Sequence, residues 1–254
     1  MKKILILYFS GVGATKKVAE YMYISLSQSC TVDKFSMEES AVLNLDNYDA
    51  LVIGLPVYHA APPHTVTDYL LNMYPHKKGI PVFIFNTRTV LACNTNRILA
   101  KLIRKKNIVT IMDKEYRSPA SDGSLIVPFV QRFFEFEKDL QKKITLDCTM
   151  FLKLLQSDNL QGYIPRFRFS SIMNAPNKLA GQLITLKIYL HRDRCVKCGN
   201  CIENCPRNAL KKDENNYPVV TRKSCENCYR CIHHCPAKAL SLSKRTVPKR
   251  LLNH

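Results

Sequence analysis

The C-terminal part of the 254-residue chain carries one cysteine run twice: Cys195, Cys198, Cys201 and Cys205 before Pro206, then Cys225, Cys228, Cys231 and Cys235 before Pro236. Each copy reads C-x2-C-x2-C-x3-C-P. The match extends further, because Cys201-Ile202-x-x-Cys205-Pro206-x-x-Ala209-Leu210 returns as Cys231-Ile232-x-x-Cys235-Pro236-x-x-Ala239-Leu240. An internal repeat of this kind predicts two equivalent half-sites. Eight thiols at this spacing suit iron–sulfur cubes, whose irons are held by cysteine thiolates. Structural zinc takes two ligands from each of two knuckles, which leaves no place for a third cysteine three residues on. A disulfide framework needs an oxidising compartment, and no signal peptide is expected, since residues 1–8 run straight into an apolar strand.

The run resembles that of bacterial two-cluster ferredoxins. In that family three cysteines of a run bind one [4Fe-4S] cube and the fourth crosses to the other. The resemblance implies that Cys195, Cys198, Cys201 and Cys235 hold cluster one, and Cys225, Cys228, Cys231 and Cys205 cluster two. A segment this small buries too little apolar surface to fold alone. The cubes are therefore expected to act as its core, with Ile202 and Ile232 packed on them.

The preceding residues are long enough for a domain of their own. Continuous apolar runs at 4–8, 51–55, 82–85 and 108–112 read as strands covered on both faces, and 31–35 as a further strand. Ala14, Val18, Met22 and Leu26 recur every fourth residue and draw one stripe along a helix over 13–28. Further helices are expected over 65–73, 94–105, 124–142 and 144–156. Strands alternating with helices predict a doubly wound α/β domain. Cys30, Cys93 and Cys148 are scattered through it and read as small buried hydrophobes.

After the first strand comes Ser10-Gly11-Val12-Gly13-Ala14-Thr15, a turn of small and hydroxyl residues that opens a helix. Its amides would converge on an anion at the positive helix end, with the Ser10 and Thr15 hydroxyls as further donors. A dinucleotide fingerprint would have glycine where Lys16 stands. The loop is also too short for a P-loop ending in Gly-Lys-Ser/Thr.

Residues 1 to about 142 resemble flavodoxin, whose Ser-x-Thr-Gly-x-Thr loop is approximated by Ser10 to Thr15. The resemblance implies a parallel five-stranded sheet of order 2-1-3-4-5 and FMN bound beyond the strand ends. Val12 and Ala14 replace the usual threonine and asparagine, which implies weaker phosphate binding. Flavodoxin-like domains also place two loops against the flavin ring. Here these are the segment from Pro56, Val57, Tyr58 and His59 to Pro63, and the segment Asn86, Thr87, Arg88 and Thr89. Tyr58 is a candidate for stacking, Arg88 for countering a reduced anionic flavin, and His59 for proton donation, although a lone loop histidine is more often simply exposed. No catalytic residue is assigned.

Residues 163–169 alternate apolar and basic side chains. Phe167 and Phe169 are expected to pack on a domain while the arginines face water, and a helix over 177–190 to deliver the chain to the first cysteine run. The expected division is 1–156 flavodoxin-like, 157–189 connector, 190–243 a small α+β ferredoxin-like two-cluster domain, and 244–254 a basic tail. The formal charge of +18 falls to about +14 once two cubes of about −2 are counted. A basic surface steers acidic proteins, nucleic acid or anionic lipid, and an acidic redox partner is the simplest choice. No DNA-reading element is evident, so no nucleic acid is expected. No apolar run reaches the ~18 residues of a spanning helix, and the chain reads as cytoplasmic. The whole resembles the fused flavodoxin/ferredoxin proteins of anaerobic bacteria and archaea. That resemblance implies an iron–sulfur flavoprotein relaying single electrons between two [4Fe-4S] clusters and FMN. The alternatives are a pure carrier without a substrate and a redox-sensing binding protein.

Overall fold

The structure is a computed structural model, and it describes residues 1–39, 43–121, 125, 135–157, 160–173, 187–221 and 223–245. Strands β1 (Lys3–Tyr8), β2 (Thr31–Ser36), β3 (Ala50–Pro56), β4 (Ile80–Arg88) and β5 (Ile108–Arg117) form one sheet of order β2-β1-β3-β4-β5. All four pairings are parallel, with Ile4 beside Val32 and Ala50, Leu51 beside Val82, and Ile80 beside Ile108. All five expected strands are present, in the order that the flavodoxin resemblance implies.

The apolar runs are continuous because each strand feeds two cores at once. Ile4, Ile6, Val52, Phe83 and Phe85 face helix α1 (Ala14–Leu26) and helix α4 (Leu140–Leu155), where Val18, Met22, Ile144 and Phe151 meet them. Leu5, Leu7, Leu51, Ile53, Val82 and Ile84 face helix α2 (His64–Asn72) and helix α3 (Thr95–Arg104), whose Val66, Leu70, Leu99 and Ile103 close that side. The stripe read on α1 is this buried face. Helix α4 is tied to β5 through Asp147, which accepts the Tyr116 hydroxyl at 2.8 Å and pairs with Lys114 Nζ at 2.9 Å. Cys30, Cys93 and Cys148 are buried as expected.

Three readings need correction. Most of the helix expected over 124–142 lies outside the described residues. Leu125 and 140–142 are helical, the latter opening α4, but 135–139 are not: Asp139 takes a left-handed φ of 55°. The helix expected over 177–190 lies outside the described residues up to 186, and its end Tyr189–Leu190 is strand β6, not helix. Third, Phe167 and Phe169 are 47% and 76% exposed and pack edge to face on each other. The segment is held instead by Arg168, whose Nη1 reaches Glu115 at 2.6 Å and whose amide donates to Asn94. A short helix α5 (Ser170–Met173) follows.

The C-terminal half has helix α6 (Asn200–Glu203), strands β7 (Leu210–Lys212) and β8 (Pro218–Val220), helix α7 (Arg230–His233) and strand β9 (Leu240–Ser241). β6 pairs antiparallel with β9, and β7 with β8. Among the described residues no helix is long and apolar enough to cross a membrane.

Candidate cofactor sites

The carboxyl ends of β1, β3, β4 and β5 open onto one shared cavity, the place where ligands bind in open parallel sheets. The loop after β1 contributes Ser10, Gly11, Val12, Ala14 and Thr15, the loop after β3 Pro56 to His59, and the loop after β4 Thr87 to Thr89. Gly13 caps α1 with a φ of 97°, a conformation glycine adopts freely. Its amide donates to Ser10 Oγ at 3.1 Å, which leaves the Ser10 hydroxyl proton for an incoming anion. Thr15 Oγ1 lies 2.7 Å from Thr87 Oγ1, so the two loops share a buried hydroxyl pair. No acidic side chain sits in the first turn of α1, so the positive helix end is not offset there. Two hydroxyls, a helix N-terminus and loop amides make a donor set that fits the phosphate of FMN.

The loop after β3 is a tight turn closed by Tyr58 and Ala61, which exchange both backbone hydrogen bonds. His59 and Ala60 at its tip have φ of 48° and 61°. The Arg88 guanidinium donates to Glu115 and to the Val90 carbonyl, so its charge is already countered. Asn86 is fully buried, donates to Asn96 at 2.9 Å and does not line the cavity.

Cys195, Cys198, Cys201 and Cys235 line a single cavity, together with Ile202 and Pro236. Burial, then the neighbouring Cys235, pushes the Cys201 thiol up to about 11. In the other half, burial followed by Cys228, Cys225 and Cys205 raises the Cys231 thiol. The thiols of the first group thus gather across the runs, and Cys231 feels thiols of both runs, Cys205 and Cys201 among them. Crowded buried thiols resist ionisation on their own, and bound iron supplies the charge that deprotonates them. Among the described residues no three Cys, His, Asp or Glu side chains stand close enough to hold a single metal ion. The repeat extends to the second sphere: the amides of Ala209 and Ala239 donate to Cys205 Sγ and Cys235 Sγ at 3.2 and 3.3 Å. Ile232 is fully buried beside the second group.

The two halves meet at the flavin loops. Arg230 donates to the Ser10 and Gly11 carbonyls at 2.5 and 2.8 Å, and to both Glu38 oxygens at 2.5 and 2.6 Å. Glu226 accepts the amide and hydroxyl of Thr65 at the start of α2. His233 Nε2 lies 2.7 Å from the Ser121 carbonyl, and Arg207 pairs with Asp68. At the centre, a Cβ added to Gly11 would stand 2.0 Å from Tyr58 Oη and 3.5 Å from Cys228 Cβ. Burial and the adjacent Cys228 thiol raise the Tyr58 phenol well above its ordinary value. The phosphate loop, the ring loop and a cysteine of the second run are therefore in contact.

Two groups of cavity residues had no motif to announce them. Ser118, Pro119, Ala120 and Ser121 follow β5, and their signal is position alone, beyond the carboxyl end of a parallel strand. Asn227 and Tyr229 come from the second cysteine run. Only a comparison of the two runs points to them.

A family model described as a flavodoxin domain matches residues 5–120, and one described as a 4Fe-4S dicluster domain matches residues 187–241. Among solved structures, the chain is similar to a flavodoxin from the domain Archaea at 12% identity, covering 61% of this chain and 99% of that one, with a TM-score of 0.46. It is similar to oxidised flavodoxin 1 from Bacillus cereus at 12% identity, covering 59% and 97%, with a TM-score of 0.42. Flavodoxin from Fusobacterium nucleatum, solved with flavin mononucleotide, shares 15% identity over 60% of this chain and 98% of that one, with a TM-score of 0.42. Comparison with curated proteins gives no match. The chain joins an N-terminal flavodoxin domain to a C-terminal 4Fe-4S dicluster domain, the pairing of an iron–sulfur flavin electron-transfer protein.

Proposed function

We propose that the chain relays single electrons between two [4Fe-4S] clusters and FMN. Cys195, Cys198, Cys201 and Cys235 hold the outer cluster, and Cys225, Cys228, Cys231 and Cys205 hold the one beside the flavin. The observation that supports this most is the packing of Gly11 and Tyr58 against Cys228, which leaves no room for solvent between the phosphate loop and a cluster ligand. When bound, FMN supplies the exchange between one- and two-electron chemistry. The chain supplies the arrangement: Ser10 to Thr15 take the phosphate, Pro56 to His59 and Thr87 to Arg88 line the ring cavity, and Tyr58 fills the gap to the second run.

The outer cluster is the contact point for an external redox protein. Cys198 is exposed, and Val196 beside it is 68% exposed. Arg192, Arg194 and Lys197 nearby in the chain are exposed too; Arg192 pairs with Asp213 and Arg194 with Asp193, so Lys197 is the cation offered to an acidic partner there. Thiolate-bound clusters suit a reducing cytoplasm.

Anaerobic purification followed by iron, sulfide and flavin analysis tests the reading. About eight irons, about eight sulfides and one FMN per chain are expected. Cys205→Ala should strip iron from the flavin-side half, although Cys205 belongs to the first run. Colourless, iron-free protein would overturn the proposal, and brown protein that takes up no FMN would overturn its flavin half.

A further inference from the structure

The cysteine runs match position by position, so each residue of the second has a counterpart whose surroundings serve as a control. Glu226, Arg230 and His233 correspond to Val196, Asn200 and Glu203. The counterparts are placed differently: Val196 and Glu203 are exposed, and Asn200 donates to the carbonyl of His234 in the second run. The second-run residues instead hold the sheet domain at Thr65, at Ser10 and Gly11, and at Ser121. Two of these places, Ser10–Gly11 and Ser121, are on loops that line the flavin cavity.

Asn227 and Tyr229 fall between these anchors, where the first run has Lys197 and Gly199. Gly199 and Tyr229 both cap a short helix in the left-handed region, with φ of 81° and 56°. Glycine adopts that conformation freely, and a bulky side chain does so only when its surroundings hold it there. Tyr229 is 5% exposed: it joins Leu210, Ile232 and Leu240 in the core of its own domain and also borders the flavin cavity, as Asn227 does. A position that glycine would fill without strain has been given to a large aromatic side chain that reaches the cofactor cavity.

We infer that Asn227 and Tyr229 are flavin-binding residues, so that FMN is held jointly by both domains. Resting on the reading of this cavity as the FMN site, the inference adds a wall that the sheet domain does not provide. The loop after β4 brings Thr87, Arg88 and Thr89 to the cavity and no aromatic residue. Tyr229 supplies an apolar aromatic surface from across the domain boundary, and Asn227, whose Oδ1 accepts from Cys225 Sγ at 3.8 Å, keeps its amide NH2 to offer.

The test is FMN affinity, measured anaerobically by quenching of flavin fluorescence on the full chain with its clusters loaded. Asn227→Asp keeps the shape and the left-handed preference while placing a negative charge on the cavity wall. It is expected to weaken FMN binding about fivefold or more at low salt, with iron and sulfide unchanged. Tyr229→Gly, which installs the first run's residue, should weaken binding about tenfold, and Tyr229→Phe should restore most of it. Wild-type affinity in both Asn227→Asp and Tyr229→Gly would overturn the inference. A wild-type chain that binds no FMN would overturn the reading of the cavity itself.

Discussion

Replacing Gly11 by alanine isolates the contact on which the proposed relay depends. Gly11 is not among the glycines with positive φ, so its backbone accepts alanine and only the space is at issue. The new methyl group would stand 2.0 Å from Tyr58 Oη, far inside the 3.4 Å at which ordinary contact begins, and 3.3 Å from Tyr58 Cζ. Tyr58 has little freedom to yield, because its ring meets Phe9 edge-on at 6.4 Å and its backbone closes a tight turn. Either the phenol leaves the gap or the second cysteine run draws back from the phosphate loop. Overpacking of this kind costs about 1–3 kcal/mol. For a chain of this size that lowers Tm by about 2–12 °C, at fixed cofactor loading. The rescue is specific: Tyr58→Phe removes the clashing oxygen and leaves the 3.3 Å contact, which a shift of a few tenths of an ångström relieves. The double variant should recover more than half of the loss, with a coupling of at least about 0.5 kcal/mol. Anaerobic thermal unfolding of the four proteins measures it. A Gly11→Ala variant as stable as wild type, or one that Tyr58→Phe fails to rescue, would refute the packing argument.

Arg230→Asn, which substitutes the first run's residue, removes a largely buried pair with Glu38 and two bonds to loop carbonyls. It should cost about 3 kcal/mol in denaturant unfolding, and Arg230→Lys should recover only part, because one ammonium cannot reproduce the forked contact. Asp33 is held below the usual carboxylate range first by the Tyr48 hydroxyl and then by Lys3. Its contribution is present above its unfolded pKa of about 3.9 and is lost as pH falls through the lower folded value. Tyr48→Phe should therefore give a shallower loss of stability on acidification, and an unchanged acid limb would count against that role. Lys197→Glu should slow electron delivery by an acidic donor several-fold at low salt, with the difference closing as salt is raised. Salt-independent rates would place docking elsewhere.

The sheet was readable because its strands are covered on both faces, so that Ile4 to Leu7 and Leu51 to Ile53 are apolar without interruption. The helix start after β1 was readable because small and hydroxyl residues stand next to a helical stripe. β6 was not, since two residues, Tyr189 and Leu190, carry no period and depend on pairing with β9. The rings of Phe167 and Phe169 were placed inward on alternation alone. The segment is in fact fixed by the backbone of Arg168 on Asn94 and its guanidinium on Glu115, contacts between residues far apart in the chain. Asn86 shows the same limit, because its partner Asn96 lies on the next helix. The place of Asn227 and Tyr229 on the cavity wall was present in the cysteine repeat, but as a difference between copies, whereas the likeness between them is what first draws notice.

The three cysteines outside the runs bear on how iron is delivered. Cys30, Cys93 and Cys148 are at most 7% exposed, and burial pushes the Cys148 thiol up to about 12. Once the sheet domain has folded, these three thiols are shielded from iron arriving through solvent, and so would compete little for a cube that the two cysteine runs would take.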